Sequence, residues 1–185
     1  MLEKEMLRKE AKQRLAQITE LDRASIEKNM LHHLLHSEIW NKANRIAITI
    51  SQPYEWSTKE IIRAAWEQGK KVCIPKCYPV KKEMIFYDFS SFKELESVYF
   101  NLYEPIPNTD LKQDKNDIDL IIVPGILFDL EGYRIGHGGG YYDRYLKGYH
   151  GDTLSLASTF QVIKEIPREH FDIAVQVIVT EEGFL

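Results

Sequence analysis

Apolar residues recur at helical spacing through the first forty positions of the chain. Leu7, Ala11 and Leu15 lie four residues apart in a run of strong helix formers, which predicts a helix over residues 3–17. A second helix is predicted over residues 21–40, where apolar side chains again line one side. Two helices therefore precede the rest of the fold.

From residue 45 onward the pattern changes to short apolar runs separated by polar segments. Residues 45–50 and 71–75 are predicted as buried strands. Between them, Ser57 and Glu60 form a capping box that opens a helix, and Gly69 stands where a C-terminal helix glycine belongs. A strand, a helix and a second strand in such a short stretch predict a crossover between two parallel strands.

The remaining strands follow at intervals to the C-terminus. We predict them at residues 84–89, 120–124, 154–157 and 174–180. Residues 100–119 are rich in Pro, Asn and Asp and are predicted as a loop. The sequence shows no internal repeat and no linker, so we predict a single α/β domain over residues 1–185. It has three layers, with a mostly parallel central sheet and helices on both faces.

Composition and charge narrow the class of protein. Hydrophobic residues make up 44% of the chain and charged residues 28%, which is typical of a globular protein and excludes a disordered one. The net charge of −4 argues against a nucleic-acid binder, which would usually be basic. An anionic ligand must therefore be held by a local site.

The ends of the chain and its cysteines indicate a cytoplasmic protein. The first ten residues lack the apolar segment of a signal peptide, and no run reaches the length of a membrane span. Cys73 and Cys77 are too few for a disulfide framework. Their spacing would fit half a zinc site, and His32 and His36 could share a metal, but neither pair has a further ligand nearby. Structural thiols and solvated histidines are the favoured interpretation.

Glycine is concentrated in one segment. Six of the ten glycines fall between Gly125 and Gly140, and the segment leads from the most apolar strand into a predicted short helix over residues 141–147. Glycines let backbone N–H groups converge on an anion, and ligands bind beyond the carboxyl ends of parallel strands. With Arg134, Arg144 and Lys147 as mobile cations, this segment is predicted to hold a polyphosphate.

Two common phosphate-binding motifs do not fit the segment. A Walker A loop requires Gly-Lys-Ser/Thr after its last glycine, but Tyr141 and Tyr142 follow Gly140. The dinucleotide-binding motif would need a glycine at residue 141. A plain glycine-rich hairpin is the remaining alternative, although four glycines in five residues flanked by arginines exceed what a turn needs.

The segment resembles the signature of the 5-formyltetrahydrofolate cyclo-ligase family. It reads Gly-His-Gly-Gly-Gly-Tyr-Tyr-Asp-Arg over residues 136–144, after Val-Pro-Gly at 123–125 and Phe-Asp at 128–129. Further family motifs match along nearly the whole chain: Lys4 and Arg8, Glu55 with Thr58 and Ile61-Ile62, Ile74-Pro75-Lys76, Glu104-Pro105, and Thr180-Glu181 with Gly183.

The resemblance implies an enzyme with ATP as co-substrate and Mg²⁺ as cofactor. Members of the family convert 5-formyltetrahydrofolate to 5,10-methenyltetrahydrofolate and release ADP and phosphate. The formyl oxygen is a poor leaving group, so its phosphorylation precedes ring closure by N10. Protein groups then mainly position the reactants and neutralise charge.

The resemblance also implies a role for each matching residue. It assigns nucleotide binding to Lys4, Arg8, Arg134, Ile135, Gly136, His137, Gly138, Gly139, Gly140, Tyr141 and Tyr142. It assigns folate binding to Ile50, Glu55, His137, Gly138, Gly139, Gly140 and Tyr141. The catalytic set is Lys4, Arg8, Arg134 and Glu55.

Two aspartates match magnesium-associated positions. Asp143 and Asp172 are the implied ligands, and Mg²⁺ commonly takes one or two carboxylates together with phosphate oxygens and water. The sequence departs from the family twice: Phe171 separates His170 from Asp172, and His137 replaces an expected basic residue.

Alternative functions share the same residues. A small-molecule kinase or ligase with a different acceptor could use this phosphate site, and so could a non-catalytic folate- or nucleotide-binding module. We expect a folate substrate, which could be polyglutamylated, no nucleic-acid or membrane partner, and a monomer or homodimer.

Overall fold

A central β-sheet organises the protein in the computed structural model, which describes residues 2–52, 54–97 and 103–185. The helices are α1 (Leu2–Ala16), α2 (Glu20–Leu35), α3 (Glu38–Lys42), α4 (Lys59–Glu67) and α5 (Tyr141–Leu146). The strands are β1 (Arg45–Ala47), β2 (Lys71–Tyr78), β3 (Glu83–Asp88), β4 (Leu95–Ser97), β5 (Tyr103–Pro105), β6 (Leu120–Ile122), β7 (Leu127–Asp129), β8 (Arg134–Ile135), β9 (Asp152–Leu156), β10 (Val162–Ile163), β11 (Val177–Thr180) and β12 (Gly183–Phe184).

The central sheet has seven strands in the order β12-β11-β9-β6-β1-β2-β3. The five inner strands are parallel, while β12 and β3 pair antiparallel at the two edges. The predicted mostly parallel sheet is therefore confirmed. A smaller sheet of β10, β7 and β8 and the β4–β5 hairpin complete the strands of the described residues.

The order of the parallel strands creates a switch point. In chain order they are β1, β2, β6, β9 and β11. In space their order is β2-β1-β6-β9-β11, so β2 lies on one side of β1 and the later strands lie on the other. The chain therefore winds outward in opposite directions from the boundary between β1 and β6. Connections leave this boundary on opposite faces, which opens a crevice at the carboxyl ends of the two strands.

Each face of the sheet carries its own hydrophobic core. One core joins Ile46 and Leu120 of the sheet to side chains of α1, α2 and α4. The other joins Ala47 and Ile121 to α5 and to Phe128 of β7. Neighbouring strand residues alternate between the two cores, as side chains do along a strand. The prediction of helices on both faces is confirmed, although most of the helical residues cover one face.

The second predicted helix is wrong beyond residue 35. The hydroxyl of Ser37 donates to the Leu34 carbonyl at 2.6 Å and accepts the backbone N–H of Trp40 at 3.2 Å. It thereby ends α2 and caps α3, as serine commonly does when it competes with the helical backbone. Trp40 is fully buried, so the short α3 is fixed by packing.

The capping box predicted at Ser57 is also wrong. Helix α4 begins at Lys59 with Thr58 as its N-terminal cap, and no side chain accepts a capping hydrogen bond there. The Thr58 hydroxyl donates instead to the Thr49 carbonyl at 2.7 Å, and it accepts the Ser51 N–H. The residue that would cap the helix is used to hold the chain that follows β1.

The segment predicted as a loop over residues 100–119 contains a strand. Residues 100–102 lie outside the described residues, but β5 pairs with β4 and lies against β2. Lys76 of β2 contacts both Glu96 of β4, at 2.6 Å, and Glu104 of β5, at 3.3 Å. Strands β4 and β5 therefore form in a polar segment, because their glutamates are neutralised by Lys76 of β2.

No helix in the described ranges is long and apolar enough to cross a membrane. The two cysteines are free, and burial raises the pKa of Cys73 above its ordinary value and that of Cys77 to about 11. Both thiols therefore stay protonated at neutral pH, which agrees with a structural role.

Gly69 and Gly132 form a matched pair for testing the backbone. Both have positive φ, +73° and +85°, but a Cβ at Gly69 meets nothing within 4 Å whereas one at Gly132 would lie 2.2 Å from the Val175 carbonyl oxygen. We expect Gly69→Ala to cost about 1–2 kcal/mol of unfolding free energy for the left-handed conformation alone.

Gly132→Ala adds a steric overlap to the same conformational cost, so we expect a loss of about 3 kcal/mol or more. Chemical denaturation of the two variants measures the difference. Equal losses would mean that the turn at Gly132 can move away from Val175.

Candidate active site

A cleft opens at the switch point of the sheet. Its walls come from the segment after β1, which includes Thr49 and Ser51, and from the segment after β6, which includes Val123 and Pro124. The cleft encloses about 500 Å³, including space open to solvent. Its position agrees with the general rule for ligand binding in parallel sheets.

Trp56 and Gln161 form a fixed wall of this cleft. The buried Gln161 side chain accepts hydrogen bonds from Trp56 Nε1 at 2.6 Å and from the Ser158 N–H at 2.9 Å, and it donates to the Ile126 carbonyl. Glu181 accepts from the hydroxyl of Ser158 at 2.6 Å and holds the turn in place. A buried amide held by three hydrogen bonds is rigid and specifies one geometry.

The glycine-rich loop connects β8 to α5 beside the cleft. Gly138 and Gly140 have φ values of +95° and +63°, which only glycine adopts without cost. Gly139 has an ordinary φ, but a Cβ there would lie 2.8 Å from the ring of Tyr141. The loop therefore needs glycine at residues 138 and 140 for conformation and at residue 139 for space.

Helix α1 brings one cation to this loop and another to Asp172. Lys4 Nζ lies 2.6 Å from Asp172 Oδ2, and Arg8 Nε donates to the Gly136 carbonyl at 2.7 Å. The Arg8 guanidinium is also 3.6 Å from the position of a Cβ on Gly138. Residues separated by more than a hundred positions in sequence therefore meet, as the family resemblance implied.

Arg134 is buried below the loop and is not a mobile cation. Its guanidinium bonds to Asp143 Oδ1 at 2.9 Å and to the Ile173 carbonyl, and Asp143 also accepts the Ile173 N–H. Burial lowers the pKa of Arg134 from its ordinary value, although Asp143 opposes this effect. Ile135 is buried beside it in the core. The prediction of a mobile Arg134 is therefore wrong because this side chain is enclosed by protein partners.

The other two predicted cations differ from Arg134. Arg144 donates to the Gly139 carbonyl at 2.8 Å and to the Lys82 carbonyl, and it stacks on the Tyr141 ring. It therefore supports the loop from outside. Lys147 is exposed at the end of α5.

Glu55 meets the glycine loop from the opposite wall. Its Oε1 lies 2.9 Å from His137 Nε2, and its Oε2 accepts the Gln52 N–H at 2.7 Å. The Tyr54 hydroxyl is 3.4 Å from the other ring nitrogen of His137. The expectation that Glu55 lies at the same sheet edge as the loop is confirmed.

The two tyrosines of the motif and Ile50 have different surroundings. Tyr141 packs against Arg144 at the loop, while the Tyr142 hydroxyl is buried without a hydrogen-bond partner among the described residues. Burial raises the pKa of Tyr142 well above its ordinary value, so the group is a neutral phenol. Ile50 belongs to the hydrophobic core and is only 8% exposed, which limits its side chain to the edge of any ligand site.

Asp143 and Asp172 lie close to one another without forming a closed metal site. Asp143 accepts the N–H of Ile173, the residue that follows Asp172. Each carboxylate has one oxygen bound to a cation and a backbone N–H, and the other oxygen has no hydrogen bond within the described residues. No group of three metal-ligating side chains occurs in these residues.

An ion pair that sequence reasoning missed holds the segment that carries Asp172. Asp129, which is fully buried, accepts two hydrogen bonds from Arg168, at 3.2 and 2.8 Å, and Arg168 stacks on the Tyr133 ring at 4.2 Å. This fixes the segment that ends at Asp172 and Ile173. The Phe-Asp motif at residues 128–129 was recognisable in the sequence. Its partner Arg168 lies 39 positions after Asp129, and no regular spacing links the two residues.

We expect Arg134→Met to destabilise the fold because it leaves Asp143 unpaired. Removing one partner of a buried ion pair costs about 3–5 kcal/mol, and the partial exposure of Asp143 places the expected loss near 2–4 kcal/mol. The double variant Arg134→Met/Asp143→Asn should recover part of this loss. Unfolding free energies measure both, and an unchanged stability in Arg134→Met would contradict a structural role for the pair.

Comparison with known proteins assigns the family. The model of the 5-formyltetrahydrofolate cyclo-ligase family matches residues 1–181. The 5-formyltetrahydrofolate cyclo-ligase of Haemophilus influenzae is 29% identical, over 92% of this chain and 93% of its own length. The cyclo-ligase of Mus musculus is 30% identical, over 96% of this chain and 93% of its own length.

Solved structures agree with this assignment. The NMR structure of Aquifex aeolicus 5,10-methenyltetrahydrofolate synthetase superposes with a TM-score of 0.86 at 32% identity, covering all of this chain and 92% of that one. A 5,10-methenyltetrahydrofolate synthetase from Mycoplasma pneumoniae, at 20% identity, has the same fold with a TM-score of 0.76 over 96% of this chain and 98% of its own. The chain therefore belongs to the 5-formyltetrahydrofolate cyclo-ligase family and is a ligase of folate metabolism.

Proposed function

We propose that this chain closes 5-formyltetrahydrofolate to 5,10-methenyltetrahydrofolate, with consumption of ATP and release of ADP and phosphate. The observation that supports this most directly is the 2.9 Å contact between Glu55 and His137. It brings a carboxylate suited to a reduced pterin against a glycine loop suited to phosphates. Both reactants then meet at the carboxyl edge of β1 and β6.

The proposed chemistry needs a phosphate site beside a folate site. The γ-phosphoryl group moves from ATP to the formyl oxygen, and ADP leaves. The N10 lone pair then attacks the formyl carbon, and the carbon–oxygen bond breaks with phosphate as the leaving group. N10 loses its proton to give the conjugated methenyl bridge. The protein mainly has to align the reactants and stabilise moving negative charge.

In this proposal Lys4, Arg8 and the loop from Gly136 to Gly140 bind the phosphates. Arg8 projects from α1 onto the loop, and Lys4 projects from the same helix onto Asp172. Arg134 acts from below, where it holds Asp143 and the chain at Ile173 while contributing positive charge. Tyr141 and the buried Tyr142 enclose the loop.

In the same proposal Glu55 binds the folate. A carboxylate has enough lone pairs to accept a pterin N–H while retaining the Gln52 N–H. Charge-assisted hydrogen bonds of this kind are stronger than neutral ones. His137 and the glycines beside it form the facing surface, and Ile50 supports that wall from the core.

The donor set near Arg134 fits a magnesium ion that is brought by ATP. Asp143 and Asp172 each have one carboxylate oxygen without a hydrogen bond in the described ranges, and hard oxygen ligands of this number suit Mg²⁺ when phosphates and water complete the shell. The ion would neutralise phosphate charge during transfer. The two carboxylates would hold it against the loop.

Three further features belong to the proposal. We infer that residues 1–185 form one domain, because α1, at the N-terminal end, contacts both the glycine loop and Asp172 near the C-terminal end. We also infer a cytoplasmic monomer or homodimer that accepts folates with one or more glutamate residues. Sedimentation of the purified chain measures its oligomeric state.

The test of the proposed function is direct formation of the methenyl product. The purified chain is mixed with 5-formyltetrahydrofolate, ATP and Mg²⁺, and product absorbance is followed with ADP release. Omitting ATP or chelating Mg²⁺ should each stop the reaction. ADP release without methenyl product would indicate a different acceptor, and binding without turnover would indicate a non-catalytic module.

We expect Glu55→Gln to reduce kcat/KM for folate by about ten- to 150-fold. The change keeps the side-chain size but removes the charge, and the loss corresponds to about 1.5–3 kcal/mol for a charge-assisted hydrogen bond. The KM for ATP should hardly change. Steady-state kinetics with each substrate varied separately provide the measurement.

Arg8→Ala serves as the complementary variant in the same kinetics. Because Arg8 of α1 donates a hydrogen bond to Gly136 of the glycine loop, its removal should raise the KM for ATP more than that for folate, and the effect should shrink at high salt through screening. Unchanged folate parameters in Glu55→Gln would place the folate elsewhere.

A further inference from the structure

A third basic residue continues the row formed by Lys4 and Arg8. Lys12 lies one further turn along α1, and its Nζ is 5.0 Å from the centroid of the Tyr54 ring. Lys4 has Asp172 as its partner and Arg8 has the Gly136 carbonyl, whereas Lys12 forms no hydrogen bond or ion pair with the residues the structure describes. Its side chain is half-buried.

Lys12 stands at the mouth of the cleft on its folate side. Tyr54 lines the cleft beside Glu55, and its hydroxyl contacts His137. Leu15, one turn after Lys12, lines the cleft as well. A cation held over an aromatic face is partly desolvated, so it interacts more strongly with an anion than a fully hydrated lysine does.

A second cation borders the same opening. The Arg14 guanidinium lies 5.2 Å from the Phe160 ring, and Phe160 packs edge-on against Trp56 at the cleft wall. Lys12 and Arg14 therefore flank Leu15 on either side of the entrance. In a protein with a net charge of −4, two cations over aromatic rings beside one cleft raise the local positive potential there.

We propose that Lys12, with Arg14 as a second cation, binds the carboxylates of the glutamate tail of the folate substrate. The inference rests on the proposed function, which puts the pterin at Glu55 inside the cleft. The tail then leaves through the mouth, where its two carboxylates meet two cations. Each added glutamate brings another carboxylate to the same basic border.

A phosphate role for Lys12 is the main competing assignment. Lys12 is eight residues from Lys4, which is about 12 Å along a helix axis. Its aromatic neighbour is Tyr54 on the folate wall, while the cation next to Gly138 is Arg8. The geometry thus favours the substrate tail over the nucleotide.

The test compares Lys12→Gln with Lys9→Gln in direct binding experiments. Both changes remove one positive charge from α1, but Lys9 is exposed and has no ion pair within the described ranges, so it controls for net charge. Dissociation constants are measured by calorimetric titration with 5-formyltetrahydrofolate, with its neutral tail diamide and with ATP. Binding does not require turnover, so the result is independent of the methenyl assay.

We expect Lys12→Gln to weaken the binding of 5-formyltetrahydrofolate by about five- to thirtyfold, the range between an exposed ion pair and a charge-assisted contact. Lys9→Gln should weaken it by less than about twofold. ATP affinity should be equal in both variants. The diamide should bind wild-type protein more weakly than the acid does, and Lys12→Gln should cause no further loss.

Other results would overturn the assignment. Equal losses for acid and diamide would mean that Lys12 acts on the wall rather than on the tail. A loss of affinity confined to ATP would make Lys12 a phosphate ligand. Equal losses of folate affinity in Lys12→Gln and Lys9→Gln would mean that only the net charge of the protein matters. Folate binding that depends on Lys12 in a chain without methenyl formation would refute the proposed function alone. Absence of folate binding in the wild type would refute both.

Discussion

The candidate site depends on the hydrogen bonds and the ion pair formed by the buried guanidinium of Arg134. This guanidinium joins β8 to Asp143 on α5 and to the Ile173 carbonyl on the segment that carries Asp172. A buried charge is tolerated only when it is paired and hydrogen-bonded, so these three pieces of chain must stay together. The hydrogen bond between Arg134 and Asp143 joins β8 to α5, and it therefore positions the glycine loop between them. Lys4 then reaches Asp172 because Asp172 cannot move away.

The order of the strands explains why such distant residues share one site. Chain segments wind away from the β1–β6 boundary on opposite faces, so the loops after β1 and β6 meet without crossing. One loop supplies Glu55, and the chain after the other supplies the glycines. Helix α1 closes the crevice from the side with its row of cations. In the proposed function, neither the phosphate site nor the folate wall would be complete without the other.

The regular spacing of apolar residues made much of the fold predictable. Helix ends were harder to predict because a hydroxyl near a helix end can choose between several hydrogen-bond partners. Six of the strands (β1, β2, β3, β6, β9 and β11) and the β1–α4–β2 crossover follow from apolar runs. The Gly69 terminus of α4 follows from its glycine, whose N–H bonds to the Trp66 carbonyl as expected for a left-handed cap. Ser37 and Thr58 each had a plausible helical role, but their hydroxyls bond elsewhere in the native fold. Which partner a hydroxyl chooses depends on tertiary contacts that spacing does not encode. At the site, the residue types were recognisable from the motif, while burial changed Arg134 from a mobile cation into a structural one.

The cations of the site are held ready by partners that a ligand can replace. Lys4 is bound to Asp172 and Arg8 to a backbone carbonyl, so each side chain is already oriented and would lose less entropy in binding a phosphate as proposed. In the proposed reaction, a phosphate oxygen that takes over Lys4 also releases an oxygen of Asp172. That oxygen then faces the same phosphates with a negative charge, which is the arrangement that recruits Mg²⁺. Nucleotide and metal would therefore bind together. A phosphate that takes Lys4 would free Asp172 for the metal, and a metal that takes Asp172 would free Lys4 for the phosphate. Arg134 is different, since its own side chain is buried and its hydrogen bonds to Asp143 and to the Ile173 carbonyl hold these segments together.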